Sequence, residues 1–409
     1  MRGTTPDKDN SGEHDMAIEG KDEKHSGRIR LGMVGGGSGA FIGGVHRIAA
    51  RLDDHYTLVA GALSSTPEKA LASGKELGLD PERTYGSYEE MAEKEAARED
   101  GIEAVAIVTP NHMHFGPAKA FLEKGIHVIC DKPVTSNLED AKALKAIADK
   151  ANALFILTHN YTGYPMIRQA RAMVANGDLG DIRLIHAEYP QDWLTEPVER
   201  QGSKQAEWRT DPKRSGAGGA LGDIGTHALN LALFVSGATV ESLAADLDSF
   251  VEGRQLDDNA HVMLRFKEKN GVRPKGMLWA SQVAPGFENG LKIRIAGTKG
   301  GLEWVQEHPN ILWFTPFGQP KQMLTRNGAG ALPESTRVSR IPAGHPEGYL
   351  EGFANIYSEA ALAIKAYRDG GEAPDVIYPT IEDGVIGLAF VEACVESAKR
   401  DGAWVKPDV

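Results

Sequence analysis

The stretch RIRLGMVGGGSGA, residues 28–40, decides the fold of this chain of 409 residues. Residues 28–34 form an apolar run that predicts a buried strand, and the glycines after it predict a tight turn. A helix then extends to about residue 52. A strand that leads through a glycine-rich turn into a helix is the typical opening of a parallel, doubly wound sheet.

The glycine turn is also a candidate phosphate site. Its spacing matches G-x-G-x-x-G/A, in which the backbone approaches a pyrophosphate at the positive N-terminus of a helix. The expected contacts are Gly35, Gly37, Ser38, Ala40, Phe41 and Ile42. The turn is longer than the motif, so the helix has an alternative start at Ile42-Gly43, and a glycine-rich turn without a ligand is the alternative interpretation.

The strand and helix patterns continue to residue 158. Further strands are predicted at residues 57–63, 104–108, 126–130 and 154–157, with helices between them. Thr66-Pro67, Ser87 and residues 136–139 have the composition of helix N-termini. We therefore expect a Rossmann dinucleotide-binding domain over residues 28–158, preceded by a disordered tail at residues 1–27.

The pattern changes after residue 158. Strands are predicted at residues 182–189, 240–250, 260–266, 275–283, 291–296 and 301–305, with one helix near residues 221–235 and a helical tail at 351–399. Strands without intervening helices favour an open, mainly antiparallel sheet. Residues 159–409 are thus expected to form an α+β domain, with helices beside the sheet, for substrate binding and oligomerisation.

Composition excludes several classes of partner. The formal net charge is −12, whereas nucleic acid and anionic membranes need basic surfaces. The N-terminal residues lack the apolar core of a signal peptide, and no apolar stretch approaches the ~18 residues of a membrane span. With only two cysteines, Cys130 and Cys394, a cytoplasmic protein is expected.

Asp131-Lys132-Pro133 follows the predicted strand at 126–130. Ligands of open α/β sheets lie at the carboxyl ends of the strands. Lys132, held there, is a candidate for orienting a substrate hydroxyl, and both Asp131 and Lys132 are candidates for contacting the dinucleotide. The alternative is a lysine whose stem lies at a strand terminus while its ammonium reaches water.

Two further loops complete the predicted cofactor groove. An adenosine ribose is often bound by an acidic residue after the second strand, but this chain has Ser64 and Ser65, with Lys69 a turn later. The choice between NAD and NADP therefore stays open. The loop after the strand at 104–108 contributes Thr109, Pro110, Asn111 and His114. A metal is not expected, because no third ligand stands near His112 and His114.

The segment Gly218–Asn230 carries the second candidate group. Asp223 and His227 are four residues apart, so a helix places both on one face. Histidine titrates near neutrality and is the usual group for proton transfer. The alternative is an Asp–His pair that stabilises a solvated helix face.

These motifs together resemble the glucose–fructose oxidoreductase/inositol dehydrogenase (Gfo/Idh/MocA) family. The resemblance covers residues 28 to about 405, and it implies a Rossmann domain, an open antiparallel sheet, and homodimers or homotetramers. It implies that Lys132 is the catalytic lysine, that Asp223 binds substrate, and that His227 is the acid/base. Asp131 replaces the family's usual glutamate, and Asn230 replaces a common aspartate.

The expected function is NAD(P)-dependent hydride transfer between the nicotinamide and a secondary hydroxyl or ketone of a sugar, polyol or cyclitol. The substrate-binding candidates are Asn160, Tyr161, Gln191, Asp192, Trp208, Arg209, Asp223 and His227. Two alternatives stay open: an NAD-dependent glycosidase that uses transient oxidation, and a non-catalytic cofactor-binding regulator.

Overall fold

A computed structural model describes residues 27–372 and 374–409. The predicted tail, apart from residue 27, lies outside the described residues. The chain forms two sheets, and the expected fold class is confirmed: a parallel sheet of five strands is followed by a mainly antiparallel sheet of eight.

The first sheet is parallel, in the order β2-β1-β3-β4-β5. Its strands lie within two residues of the predicted ones. They are β1 (Ile29–Gly35), β2 (Tyr56–Ala62), β3 (Ala104–Val108), β4 (His127–Cys130) and β5 (Phe155–Leu157). The helices between them are α1 (Phe41–Leu52), α2 (Pro67–Glu76), α3 (Tyr88–Ala96), α4 (Phe115–Leu122) and α5 (Leu138–Ala148).

Side-chain caps explain where two of these helices begin. The Ser87 hydroxyl accepts a hydrogen bond from the Glu90 N–H, and the Asn137 side chain accepts one from the Asp140 N–H. Thr66 stands before α2 as predicted, but its hydroxyl caps nothing. Pro67 suits the first turn of α2, where its missing N–H costs no hydrogen bond.

The second sheet runs in the order β13-β12-β11-β10-β6-β9-β8-β7, and only the β6–β9 pair among its described strands is parallel. Its strands are β6 (Ile182–Pro190), β7 (Val240–Asp248), β8 (Asn259–Phe266), β9 (Lys275–Ser281), β10 (Lys292–Gly297), β11 (Gly300–Val305), β12 (Ile311–Pro316) and β13 (Gln322–Thr325). The last two strands were not predicted.

Helices cover the inner face of this sheet. The helices of the second half are α6 (Pro165–Ala175), α7 (Lys204–Arg209), α8 (Pro212–Ser215), α9 (Thr226–Ser236), α10 (Pro333–Thr336), α11 (Tyr349–Asp369) and α12 (Ile381–Lys399). Buried residues of α6 and α9 share one core with β6, β8 and β10. The short helices α7 and α8 lie in the connection between β6 and α9.

The C-terminal helices join the two sheets. Phe353, Ile356 and Ala360 of α11 pack into the core of the first sheet with Ile29 and Leu31. Helix α12 contributes buried residues to both sheets, because its Val385 lies in one core and its Phe390 in the other. The helical tail was predicted to close the second domain, whereas α11 in fact packs on the first sheet. In the part of the chain that the structure describes, no helix has the length and apolarity needed to cross a membrane.

Candidate functional site

A cleft of about 400 Å³ lies where the carboxyl ends of the first sheet meet the second domain. It brings together candidate residues that are far apart in sequence. From the predicted sets it is lined by Ala40, Phe41, Ile42, Thr109, Pro110, Asn111, Asp131, Lys132, Asn160, Tyr161, Gln191, Trp208, Arg209, Asp223 and His227.

The glycine turn leads from β1 into α1, which begins at Phe41 rather than at the alternative start. Gly35 and Gly39 both have φ of +79°, which favours glycine. A Cβ on Gly43 would lie 2.4 Å from the Gly36 Cα, so the helix packs directly on the turn. The third position of the G-x-G-x-x-G/A motif, here Ala40, usually permits such close packing. In this chain Gly36 and Gly43 permit it instead. The bare backbone at the helix N-terminus fits a pyrophosphate.

The predicted adenosine-side residues lie outside the cleft, beside the glycine turn. Gly37 sits there against β2: its N–H donates to the Leu63 carbonyl over 3.2 Å. Ser65 and Lys69 are exposed, and Ser64 accepts a hydrogen bond from the Thr66 N–H. The Ser38 N–H donates to the Ser73 hydroxyl. Ser64 and Ser65, the two residues that follow Leu63, carry no charge. They therefore neither attract nor repel the 2′-phosphate that distinguishes NADP from NAD.

Lys132 is held at the end of β4 by the segment before α9. Its ammonium donates to the Asp223 backbone carbonyl at 2.6 Å and to the Asp223 carboxylate at 3.0 Å. The Asp131 carboxylate accepts from the Lys132 N–H at 2.9 Å and from the Thr158 hydroxyl at 3.1 Å. The ammonium is therefore held by Asp223 rather than left to water, and Asp131 holds the Lys132 backbone.

Asp223 binds two cations at once. Its second carboxylate oxygen accepts from the Arg209 guanidinium at 3.0 Å and from the Gln282 amide at 2.9 Å. Burial by itself would raise the pKa of Asp223, but Arg209 and Lys132 outweigh burial and hold that pKa well below its usual range. Asp223 is ionised at neutral pH, and it bonds to no atom of His227.

The helix predicted near residues 221–235 starts with a π-helical turn. Residues Leu221–Gly225 are π-helical and continue into α9. The Asp257 carboxylate holds the start of this turn, since it accepts from the Gly219 and Leu221 N–H groups at 2.7 Å each. Such π-helical turns occur frequently at functional sites.

The His227 side chain is buried at the base of the cleft and is not on a solvated helix face. Its Nδ1 is 3.5 Å from Nδ1 of His159, and its ring meets the edge of Tyr161 with centroids 5.0 Å apart. Burial and the neighbouring Lys132 lower the pKa of His227 well below 6.5. The sequence predicts titration near neutrality, whereas the buried imidazole is neutral at pH 7.

The far wall of the cleft is aromatic and amidic. The Arg209 guanidinium lies 4.1 Å from the ring centroid of Trp208 and 5.8 Å from that of Trp193. Gln191 donates to the Asn289 side-chain oxygen. The Asn160 Nδ2 is buried, lines the cleft, and has no hydrogen-bond partner among the described residues. That wall can therefore receive a polar ligand.

Two further predicted residues, His114 and Asp192, also lie outside the cleft. The ring nitrogens of His114 face the backbone carbonyls of Pro133 and Thr109 at 2.6 and 2.8 Å, so this histidine braces the loop. The Asp192 carboxylate accepts from the Gly286 N–H instead of facing the cleft.

Sequence reasoning missed several residues of the site. The cleft residues without a prediction are Val108, Thr158, Tyr189, Trp193, Gln205, Ile224, Tyr349 and Phe353. His159 was missed as well, behind His227. The clearest available signal was the position of Thr158 and His159 directly after a buried strand, where ligands of such sheets lie.

Known proteins share this architecture. A family model described as oxidoreductase family, NAD-binding Rossmann fold, matches residues 29–159, and one for the GFO/IDH/MocA C-terminal domain matches residues 167–303. The uncharacterized oxidoreductase YfiI of Bacillus subtilis is 37% identical over 383 residues, which cover 92% of this chain and 96% of that protein.

Two solved structures extend the similarity. An oxidoreductase from Sinorhizobium meliloti is 66% identical, with a TM-score of 0.84 over 93% of this chain and 99% of that one. An inositol dehydrogenase homolog from Azotobacter vinelandii, complexed with NADH and myo-inositol, is 40% identical, with a TM-score of 0.85 over 93% and 98% of the chains. The predicted resemblance is confirmed, and the chain belongs to the Gfo/Idh/MocA family as an NAD(P)-binding dehydrogenase that acts on CH–OH groups.

Proposed function

We propose that this dehydrogenase oxidises a secondary hydroxyl of a neutral polyol, cyclitol or sugar, or reduces the corresponding ketone. The observation that carries the proposal is the meeting of Lys132, Asp223 and His227 in one cleft beside the glycine turn. When bound, the nicotinamide accepts or supplies the hydride.

His227 and Lys132 have separate tasks at the reacting oxygen. His227, neutral at pH 7, takes the hydroxyl proton in the oxidation direction. An ammonium has three donors, and two of those on Lys132 are engaged by Asp223. The third is left for the substrate oxygen, where it stabilises the negative charge that develops as the proton leaves.

The charges of the cleft favour a neutral substrate. Lys132 and Arg209 are balanced by Asp131 and Asp223, and both cations are ion-paired with the Asp223 carboxylate. No unpaired cation is thus left among the described cleft residues to hold a phosphate or carboxylate. The unpartnered amide of Asn160 and the nearby Trp208 ring suit the hydroxyls and the flat face of a ring-shaped polyol.

A relative supports the same substrate class. The A. vinelandii inositol dehydrogenase homolog was crystallised with NADH and myo-inositol. For the cofactor, Ser64 and Ser65 provide no carboxylate to repel a 2′-phosphate, and we expect NAD and NADP to differ in affinity by less than about a hundredfold, ~2.7 kcal/mol.

The test is a substrate screen. Cyclitols including myo-inositol, aldoses, an anhydro sugar and glucose 6-phosphate are each incubated with NAD⁺ or NADP⁺ while absorbance of the reduced nicotinamide is recorded. We expect turnover with at least one neutral compound and none with the phosphate. Dinucleotide binding in calorimetry without turnover of any compound would favour the regulator. Release of an aglycone from a glycoside without accumulation of NADH would favour the glycosidase.

We also propose that the protein forms homodimers or homotetramers through the outer face of the second sheet. No described helix covers that face, where Leu184, Met263, Met277 and Met323 are each about half exposed. Several exposed apolar side chains on an uncovered face of a sheet are typical of an interaction surface.

A further inference from the structure

His159 lies behind the proposed acid/base histidine, in direct contact with its ring. The two Nδ1 atoms are 3.5 Å apart, and the rings meet edge-on at 85° with centroids 5.4 Å apart. Both side chains are buried, with exposed fractions of 3% and 8%. No other described residue forms a hydrogen bond with the His227 ring.

None of the other described charged or titratable groups around the two histidines forms a hydrogen bond with the His227 ring. Lys132 and Asp223 face His227 without bonding to it, and the rings of Tyr161 and Tyr189 flank it. Lys132 and Asp131 lie near His159. The carboxylate that usually orients a catalytic imidazole is therefore absent from His227 among the described residues, and a second imidazole stands in its place.

A bond between two neutral imidazoles needs one donor and one acceptor. If Nδ1 of His227 donates, its proton is on Nδ1 and its Nε2 lone pair is free. If Nδ1 of His159 donates, His227 carries its proton on Nε2 and cannot act as a base there. The partner therefore decides whether Nε2 of the resting histidine can act as a base.

We propose that His159 is the positioning residue of His227, which accepts the His227 Nδ1–H and thereby leaves Nε2 free to take the substrate proton. In the step, the substrate O–H bond breaks, an N–H bond forms at Nε2, and the carbon gives its hydride to the nicotinamide. The resulting imidazolium keeps its Nδ1–H bond to His159. This inference rests on the proposed role of His227.

The local backbone explains why His159 stays in place. The Thr158 N–H donates to the Cys130 carbonyl at 2.9 Å, and the His159 N–H donates to the Leu157 carbonyl at 3.1 Å. Burial lowers the pKa of His159 to about 3, so the ring stays neutral and keeps a lone pair at neutral pH.

Two substitutions separate hydrogen bonding from packing. His159→Asn keeps an acceptor near the Nδ1 position, whereas His159→Phe keeps the ring volume without an acceptor. We expect kcat to fall at least about tenfold in His159→Phe, as for the loss of one hydrogen bond, and to stay within about threefold in His159→Asn. Dinucleotide affinity should not change, and His308→Phe, at an exposed position, serves as the control.

The pH profile gives a second readout. Because an acceptor at Nδ1 stabilises the imidazolium form of His227, the acid limb of kcat should move to lower pH in His159→Phe and stay in place in His159→Asn. A purely structural histidine would leave that limb in place. Wild-type kcat and an unmoved limb in both variants would overturn the inference.

A third readout does not depend on turnover. ¹⁵N-histidine spectra of the cofactor-free protein report which nitrogen carries the proton, and we expect the Nδ1–H form of His227 in the wild type. The Nε2–H form would overturn the inference even in an active enzyme. Failure of every substrate in the screen would instead count against the proposed function, and the spectra would still decide the role of His159.

Discussion

At the scale of single residues, one ionised carboxylate organises the site. Asp223 holds Lys132 through one oxygen and Arg209 and Gln282 through the other. With both oxygens engaged, Asp223 acts mainly by aiming these side chains. In the proposed reaction, the proton and the developing charge are then left to His227 and Lys132.

The roles of Lys132 and His227 predict a particular kinetic pattern. Lys132→Ala or His227→Ala should lower kcat by at least about 10²-fold, the scale of a positioned acid/base group. Dinucleotide affinity, measured by calorimetry, should change by less than a few fold, because the proposed pyrophosphate site is at the glycine turn, away from both side chains.

The matched controls are Lys142→Ala and His308→Ala, at residues outside the cleft. Near-normal kcat in both cleft variants would mean that the group is structural. If only the lysine variant lost activity, Lys132 itself would become the preferred base, because a lysine beside a nicotinamide cation can titrate lower than usual.

At the scale of elements, the π-helical turn at Leu221–Gly225 delivers Asp223 to the cleft. Its start depends on Asp257, whose carboxylate accepts two N–H groups. A Cβ on Gly219 would lie 2.1 Å from the Asp257 carbonyl oxygen, so only glycine fits there. Burial raises the pKa of Asp257 to about 6, which leaves the carboxylate ionised and accepting at pH 7.

Asp257→Asn tests this support. The amide offers one acceptor oxygen and presents its NH₂ to the second N–H, so the variant leaves one buried donor unpaired. We expect urea denaturation to show a loss of about 1–3 kcal/mol in the free energy of unfolding. The value of kcat should fall while dinucleotide affinity is retained, because the glycine turn is distant.

The control is the same substitution at an exposed residue outside the π-helical turn, Asp178→Asn, which should change neither stability nor kcat. Unchanged stability and unchanged kcat in Asp257→Asn would show that the π-helical turn holds its shape without the carboxylate.

At the scale of the whole molecule, the two sheets are joined by the C-terminal helices, and the cleft lies between them. The outer face of the second sheet is not covered by any described helix. Met263 and Met277 are directly paired across β8 and β9 on that face, with exposed fractions of 53% and 57%. Burial of this pair against a second copy would remove two large apolar side chains from water.

Light scattering tests the proposed assembly. The wild type should exceed the 44.0 kDa of one chain at micromolar concentration. The double variant Met263→Lys/Met277→Lys should shift toward that mass, since a buried unpaired charge is costly. The control is Leu71→Lys, at an equally exposed residue on α2, which should leave the mass of the assembly unchanged. A monomeric wild type would contradict the proposal.

The sequence by itself determined the elements and the individual candidate residues. Apolar runs and caps are local signals, so β3 was predicted to the residue and the others of the first sheet to within two. Lys132, Asp223 and His227 were each found from a motif only a few residues long. Strands β12 and β13 were missed because few of their residues are buried, which leaves little alternation to detect.

Only the tertiary structure decided which residues meet. Lys132 and Asp223 are 91 residues apart, and His159 and His227 are 68 apart. A sequence pattern shows that a side chain is buried but not what it is buried against, because the partner depends on how whole elements pack. For the same reason, the lowered pKa of His227, the support from Asp257 and the placement of α11 on the first sheet could not be predicted from the sequence.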